Sequence, residues 1–318
     1  MRTGRPLLVI LGPTASGKSA LGILLAERFA GEILACDSTQ VYRHFDIGTG
    51  KEHPGEQRGI PQHLVDLIEP EEEFTAGDYQ QRARSVLAQV TARGRLPIVT
   101  AGTGLYLRAL LEGLSPLPPR SPALRARLTQ RAEQRGGAYL HRMLARLDLP
   151  SARVISPRDV PKLVRALEVY FQARRPRSAL FAAGRDPLEG YAIIKLGLLP
   201  PRPGLYRRID QRVEHMLAAG WLDEVRRLLQ HFPPTAKPFG FLGYRQLVAH
   251  LRGELTLQEA VKRIKHETRQ FAKRQITWFR KEPGVRWFPG FGDDPAIQRD
   301  VLASLGELRP AEQANSPA

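Results

Sequence analysis

Eight consecutive residues near the N-terminus have the types and spacing to hold phosphate: Gly12, Pro13, Thr14, Ala15, Ser16, Gly17, Lys18 and Ser19. Gly12, Gly17, Lys18 and Ser19 meet the pattern G-x-x-x-x-G-K-[ST]. Small residues at this spacing let successive backbone N–H groups line an anion-sized hollow at a helix N-terminus, where the helix dipole adds to their attraction. Lys18 brings a point charge for the outer phosphate, and the Ser19 hydroxyl can ligate Mg²⁺. The flanks agree, because LLVIL (Leu7 to Leu11) has the length of a strand and LGILLAERF has helical period. The loop alone does not say whether the phosphates belong to ATP or to another diphosphate.

The second group of chemical residues argues on that point. An ATPase needs another acid at the end of a core strand to hold Mg²⁺ and organise a water. Asp37, directly after EILAC, is the candidate, while LPIVTAGTG ends in no acid. The neighbours of Asp37 favour other work, since DSTQVY sets a carboxylate, two hydroxyls, an amide and a phenol within six residues. A carboxylate in that company can take a proton from a substrate, and Ser38, Thr39 and Gln40 can hydrogen-bond the edge of a base.

These residues need elements to position them. Strand-like runs recur at Leu7 to Leu11, Ile33 to Cys36, Leu64 to Ile68, Leu96 to Ala101 and Ala192 to Leu199, most followed by a turn and a helical stretch. That alternation predicts an α/β fold, a phosphate-loop NTPase-like parallel sheet flanked by helices. The Pro-rich LEGLSPLPPRSP (Leu111 to Pro122) marks a boundary. The core is expected over 1–115 and 190–290, with an Arg-rich, mostly helical insertion over 116–189. A long helix is announced by the capping box Thr256 and Glu259, with apolar residues at Val261, Ile264, Phe271 and Trp278 and cations on its other faces. Residues 303–318 lose all period and are expected to be a disordered tail.

Composition bounds the partners. Lys plus Arg outnumber Asp plus Glu by 48 to 32, a formal charge of +16 with a pI near 10.5, which points to a polyanion. Between Ser115 and Gly190 fifteen Lys/Arg face six Asp/Glu, and fourteen of the fifteen are arginine. Arginine suits bidentate phosphate contacts and stacking on bases. The single cysteine, Cys36, excludes an internal disulfide and a Cys-based zinc cluster, and its place at the end of EILAC reads as a buried strand residue. No apolar run is long enough to span a bilayer and the N-terminus carries no signal-peptide pattern, so a cytoplasmic location is expected. His63, His141 and His266 show no ligand spacing.

GPTASGKS, DSTQVY, DIGTGK, AGTGLY, LVRALEV, GYRQ and TRQFAKRQITWFRK, in this order, resemble the bacterial tRNA dimethylallyltransferases from Leu7 to about Lys281. Departures are Ala101 for the first glycine of GGTGLY, DIGTGKE for DIGTAKP, QHLVD for HHLID, and SPRDVPKLVRALEV for the usual lead-in to LVRALEV. None touches the phosphate loop, Asp37 or Thr103.

The resemblance implies transfer of a five-carbon unit from dimethylallyl diphosphate to the exocyclic amine of the adenosine just 3′ of a tRNA anticodon, with Mg²⁺ as cofactor. The loop would then grip a diphosphate, with Lys18, Thr14 and Ser19 as its clamp, and Arg208 and Arg212 as candidates for a further clamp. Asp37 would take the amine proton and Thr103 would position the reacting groups, both also touching the tRNA with Ser38, Thr39 and Gln40. Further tRNA contacts are implied at Arg125, at Pro161, Lys162, Leu163, Val164 and Arg165, and at Gly240, Phe241, Leu242, Gly243, Tyr244 and Arg245. A monomer is expected, closing on one anticodon stem-loop, with no membrane partner. Two other readings stay open: an ATP-binding small-molecule kinase of the same fold, and a nucleotide-gated RNA-binding module.

Overall fold

A computed structural model describes residues 4–182 and 184–306. It divides into two compact units, Met1–Leu110 with Glu189–Ala318, and Leu111–Leu188. The first five residues after Leu110 thus fall in the helical unit and outside the expected core.

The larger unit is built on a six-stranded, all-parallel sheet of β1 (Arg5–Leu11), β2 (Gly31–Cys36), β3 (Gln62–His63), β4 (Leu96–Ala101), β5 (Tyr191–Leu198) and β6 (Val285–Phe288), in the order β3-β2-β4-β1-β5-β6. The central strand β1 pairs Leu8 with both Ile98 and Ile194, and its last five residues are fully buried, as a strand covered on both faces requires. α1 (Lys18–Phe29) turns Leu21 and Leu25 onto this sheet to join Leu8, Ile10 and Ile98 in one core. Each such side chain contributes roughly 1.5–3 kcal/mol by leaving water.

Two expectations are corrected here. Leu64 to Ile68 is not a strand: Leu64 and Asp66 have φ of 68° and 53°, which turns the chain, and only a single bridge joins Ile68 to Tyr42. Residues 303–306 are not a tail, because the last helix runs through Ser304 and Leu305 is buried; the rest of the expected tail lies outside the described residues. β6 was not anticipated by the sequence reading.

Helices complete each unit. α2 (Ala76–Ala92) carries a Thr75/Asp78 capping box, and α3 (Gly104–Glu112) begins at the end of β4. The smaller unit holds α4 (Pro122–Arg135), α5 (Gly137–Leu147), α6 (Leu149–Val154), α7 (Val160–Ala173) and α8 (Arg177–Ala182), with no strand among its described residues. Its core includes Leu128, Leu140, Leu144, Leu163 and Leu167. Back in the larger unit follow α9 (Arg202–Ala218), α10 (Trp221–His231), α11 (Tyr244–Leu251), α12 (Leu257–Phe279) and α13 (Pro295–Ser304). The capping box predicted at Thr256 and Glu259 starts α12.

Candidate functional site

Parallel sheets present their ligands at the carboxyl ends of the strands. Three adjacent strands deliver the chemical residues there: β1 ends at Leu11 and opens the phosphate loop, β2 ends at Cys36 and is followed by Asp37, and β4 ends at Ala101 before Gly102 and Thr103. Thr14, Lys18, Ser19, Asp37, Thr103 and Arg212 line one cleft of about 290 Å³.

The loop wraps tightly. Ala15 and Gly17 hold φ of 61° and 84°, and the Ser16 N–H donates to the Pro13 carbonyl. A side chain at Gly17 is barred twice, by its φ and because a Cβ would lie 2.8 Å from Asp293 Oδ1. Lys18 Nζ donates to the Pro13 carbonyl at 2.8 Å. Burial, and then the nearby Arg212 cation, lower the Lys18 ammonium to about 8 against the opposing pull of Asp37. Arg212 is likewise lowered by burial, with Asp37 raising it, and its one hydrogen bond is a 3.5 Å contact to Thr14 Oγ1. Two cations thus face the loop, and among the described residues neither has an ion-pair partner.

Asp37 is held in place by its own motif. Its Oδ1 accepts from the Thr39 N–H at 2.8 Å and the Thr39 hydroxyl at 2.7 Å. The other oxygen, Oδ2, approaches Gly102 so closely that a Cβ there would lie 2.6 Å away. Thr103 Oγ1 accepts from the Ser38 N–H at 3.0 Å and donates to Ser38 Oγ at 3.3 Å, while the Gly102 and Thr103 N–H groups donate to the Cys36 carbonyl. Gln40 Nε2 donates to the Gly50 carbonyl at 3.0 Å. Thr39 and Gln40 therefore orient Asp37 and its loop through bonds already made. Cys36 is fully buried, and burial pushes its thiol up to about 12, which leaves it unreactive.

Gln275 on α12 is the site residue that the sequence reading missed. Its Oε1 accepts from the Thr14 N–H and its Nε2 donates to the Gly102 carbonyl, both at 2.8 Å. One amide thus ties the phosphate loop to the loop that carries Thr103. The signal was an uncharged amide in the middle of the basic run AKRQITWF; the structure shows it buried.

Of the other expected site residues, some line the cleft and others are engaged away from it. Arg208 forms a two-pronged ion pair with Asp293 and stacks over Phe291, 4.4 Å from its ring centre, so its fork is spent. Tyr244 is fully buried; its hydroxyl donates to Glu224 at 2.6 Å and accepts from the Gly48 N–H. Burial, then the Glu224 carboxylate, keep that hydroxyl protonated far above its ordinary range. Gly243 is buried against Trp221, while Gly240 and Arg245 are exposed, Arg245 pairing with Glu267. Phe241 and Leu242 line the cleft. In the helical unit Leu163 and Val164 are core residues, and Arg125 and Arg165 both bind the buried Glu168. Leu163, Val164 and Tyr244 are thus buried, at 0%, 2% and 0% exposure, whereas Pro161 and Lys162 are exposed. His63 pairs with Glu32, His141 with the Ala152 carbonyl and His266 with Gln270.

Similarity to known proteins agrees with this geometry. The family model for IPP transferase matches residues 40–282. The chain belongs to the IPP transferase family. Relatives named tRNA dimethylallyltransferase include one from Solibacter usitatus, 54% identical over 95% of this chain and 99% of that protein. Another, from Koribacter versatilis, is 51% identical over 93% and 96%. Among solved structures, the tRNA isopentenylpyrophosphate transferase of Bacillus halodurans matches with a TM-score of 0.69 at 33% identity, covering 95% of this chain and 97% of that one. A eukaryotic dimethylallyltransferase acting on tRNA matches with a TM-score of 0.82 at 26% identity, covering 96% and 81%. This family member is thus a prenyltransferase acting on tRNA, and the kinase reading of its phosphate loop is set aside. No helix among the described residues is long and apolar enough to cross a membrane.

Proposed function

We propose that the chain transfers the dimethylallyl group of dimethylallyl diphosphate to the exocyclic amine of the adenosine 3′ of a tRNA anticodon, releasing pyrophosphate. One observation carries this reading: Lys18 and Arg212, two cations without an ion-pair partner among the described residues, share a cleft with the oriented carboxylate of Asp37. The cations and the loop N–H groups bind the diphosphate and stabilise the charge that grows on it as the carbon–oxygen bond breaks. Asp37 accepts a hydrogen bond from the amine and takes its proton as the nitrogen–carbon bond forms. Thr103 and Thr39 fix where that carboxylate stands. Arg208 acts through Asp293 on the outer side of the loop, at Gly17.

Among the described residues no cluster of three His, Cys, Asp or Glu could cage a metal. The donor set suits Mg²⁺ all the same, since that ion keeps waters and substrate phosphates and asks little of the protein. The Ser19 hydroxyl, exposed to the cleft, would hold it, and it would supply further neutralisation of the leaving diphosphate.

Base flipping brings a loop adenosine to such a site, and RNA loops are where bases can be splayed and read. The arginines of the helical unit, the exposed cations of α12, Lys262, Arg263, Lys273 and Arg274, and Arg280 and Lys281 just beyond its end support a grip on the surrounding phosphates. A monomer in the cytoplasm, where tRNA is processed, completes the reading. The test is transfer of label from radiolabelled dimethylallyl diphosphate into unmodified tRNA with Mg²⁺, with and without ATP. ATP-independent label in the RNA is expected; ATP consumption without transfer overturns the reading. Asp37→Ala should keep tRNA binding and lose turnover by roughly a hundredfold or more.

A further inference from the structure

The cleft has two chemically different ends. Ile209, Arg212, Val213 and Met216 recur at helical spacing along α9 and line it, as Ile264, Phe271 and Gln275 do along α12. Arg212 and Gln275 both reach Thr14, which marks the phosphate end. Val213 and Ile264 belong to the apolar cluster around Trp221, with Met216 packed against it, which marks the other end.

That apolar end suits a hydrocarbon and not a base. The side chains of Val213, Met216, Leu242 and Ile264 offer no hydrogen-bonding group, and the cleft's Gln40, Thr49 and Thr268 already donate to the Gly50, Phe45 and Ile264 carbonyls, so an adenine seated there would leave its ring nitrogens unpaired at a cost of about 1–3 kcal/mol each. The Trp221 N–H has no partner, but it is covered by Gly48, where a Cβ would lie 2.2 Å from Nε1. A branched alkyl chain loses nothing in the same place.

Trp221 also closes the end firmly. It is 2% exposed, Gly48 and Gly243 approach its ring so closely that a Cβ would lie 2.2 and 2.1 Å from it, and Tyr244 meets it edge-on at 5.6 Å. The indole has nowhere to retreat. The whole cleft is about 290 Å³ and the diphosphate must share it. The diphosphate and the reacting base beside Asp37 both take part of that volume, and since an apolar cavity of about 150 Å³ is filled by one six-carbon ring, what is left beside Met216 and Trp221 matches a five-carbon tail and not a ten-carbon one.

We propose that Met216 and Trp221 set the length of the prenyl group, Trp221 as the end wall and Met216 as the side wall, admitting a five-carbon donor and rejecting a ten-carbon one. The inference rests on the transferase reading. Its test compares dimethylallyl and geranyl diphosphate as donors to unmodified tRNA, by kcat/KM and by the mass of the modified nucleoside, for wild type, Met216→Ala and Met216→Trp. The expected result is that Met216→Ala raises geranyl transfer relative to dimethylallyl transfer at least tenfold, at a few-fold cost to the latter. Met216→Trp should lose dimethylallyl transfer while still binding Mg²⁺-pyrophosphate. A donor ratio unchanged in Met216→Ala, or a change confined to the KM for tRNA, overturns the inference and gives the apolar end to the base. Wild-type protein that transfers neither donor overturns the transferase reading and this inference with it.

Discussion

Arginine meets carboxylate in two different ways in this molecule. In the helical unit, Glu168 is fully buried and takes everything offered to it: Arg165 Nη1 at 2.8 Å, Arg125 Nη1 at 3.2 Å and the Ser121 N–H at 2.6 Å. Burial pushes that carboxyl up, but the bonds from Arg165, Ser121 and Arg125 outweigh it and hold the group below the ordinary glutamate range. In the cleft, Lys18 and Arg212 are given only a carbonyl and a distant hydroxyl, and their affinity for protons falls. Charge that is satisfied inside the chain builds the fold; charge left unsatisfied waits for a ligand. The same residue types thus serve opposite ends, and only their partners tell which.

The contrast can be broken from either side. The largest effect is expected for Lys18→Ala, which should lower donor kcat/KM by about a hundredfold to a thousandfold, the scale for removing one preorganised charge from a transition state. Its melting temperature should hold or rise, since burying an ammonium without a partner costs stability. Arg165→Ala should do the reverse, costing about 3 kcal/mol in denaturant unfolding by stripping a buried carboxylate, while donor kinetics stay as in wild type. Equal loss of stability in both variants would erase the distinction.

A smaller effect sharpens it. Gln275→Ala should lower kcat roughly tenfold with little change in donor KM, because the loops it ties would hold Thr14 and Thr103 less accurately. Gln275→Glu should not restore the rate, since an ionised carboxylate can accept from the Thr14 N–H but cannot donate to Gly102. Restoration by Gln275→Glu would reduce the residue to packing. The smallest effect is a pH dependence. Glu168, held below its unfolded value, adds stability above about pH 4.5 that is lost as pH falls through the folded value. Glu168→Gln should flatten the fall in stability over that acid range, seen in denaturant titrations from pH 3 to 7.

Much of this was legible in the sequence, for identifiable reasons. The phosphate loop and strands β1, β2, β4 and β5 announce themselves because glycine spacing and unbroken apolar runs are local signals. Side-chain direction is not local. Val261, Ile264, Phe271 and Trp278 read as one apolar face, yet Phe271 and Trp278 are both 38% exposed and Ala272, Gln275 and Phe279 are buried instead. A seven-residue spacing drifts by about 20° per repeat on a straight helix, which carries Trp278 off the core face. Leu64 to Ile68 misled because left-handed turns at Leu64 and Asp66 need no glycine to occur. Tyr244 and Arg165 sit in matched motifs, and a motif does not say which of its polar groups Glu224 and Glu168 already hold.

The most direct test of the central claim is calorimetric titration of Mg²⁺-pyrophosphate into wild type, the Lys18→Ala/Arg212→Ala pair, and Arg165→Ala. The account predicts saturable binding in wild type and Arg165→Ala, with at least a hundredfold loss in the paired variant. Binding in the paired variant equal to wild type would contradict it, and would mean that the loop's backbone alone holds the diphosphate.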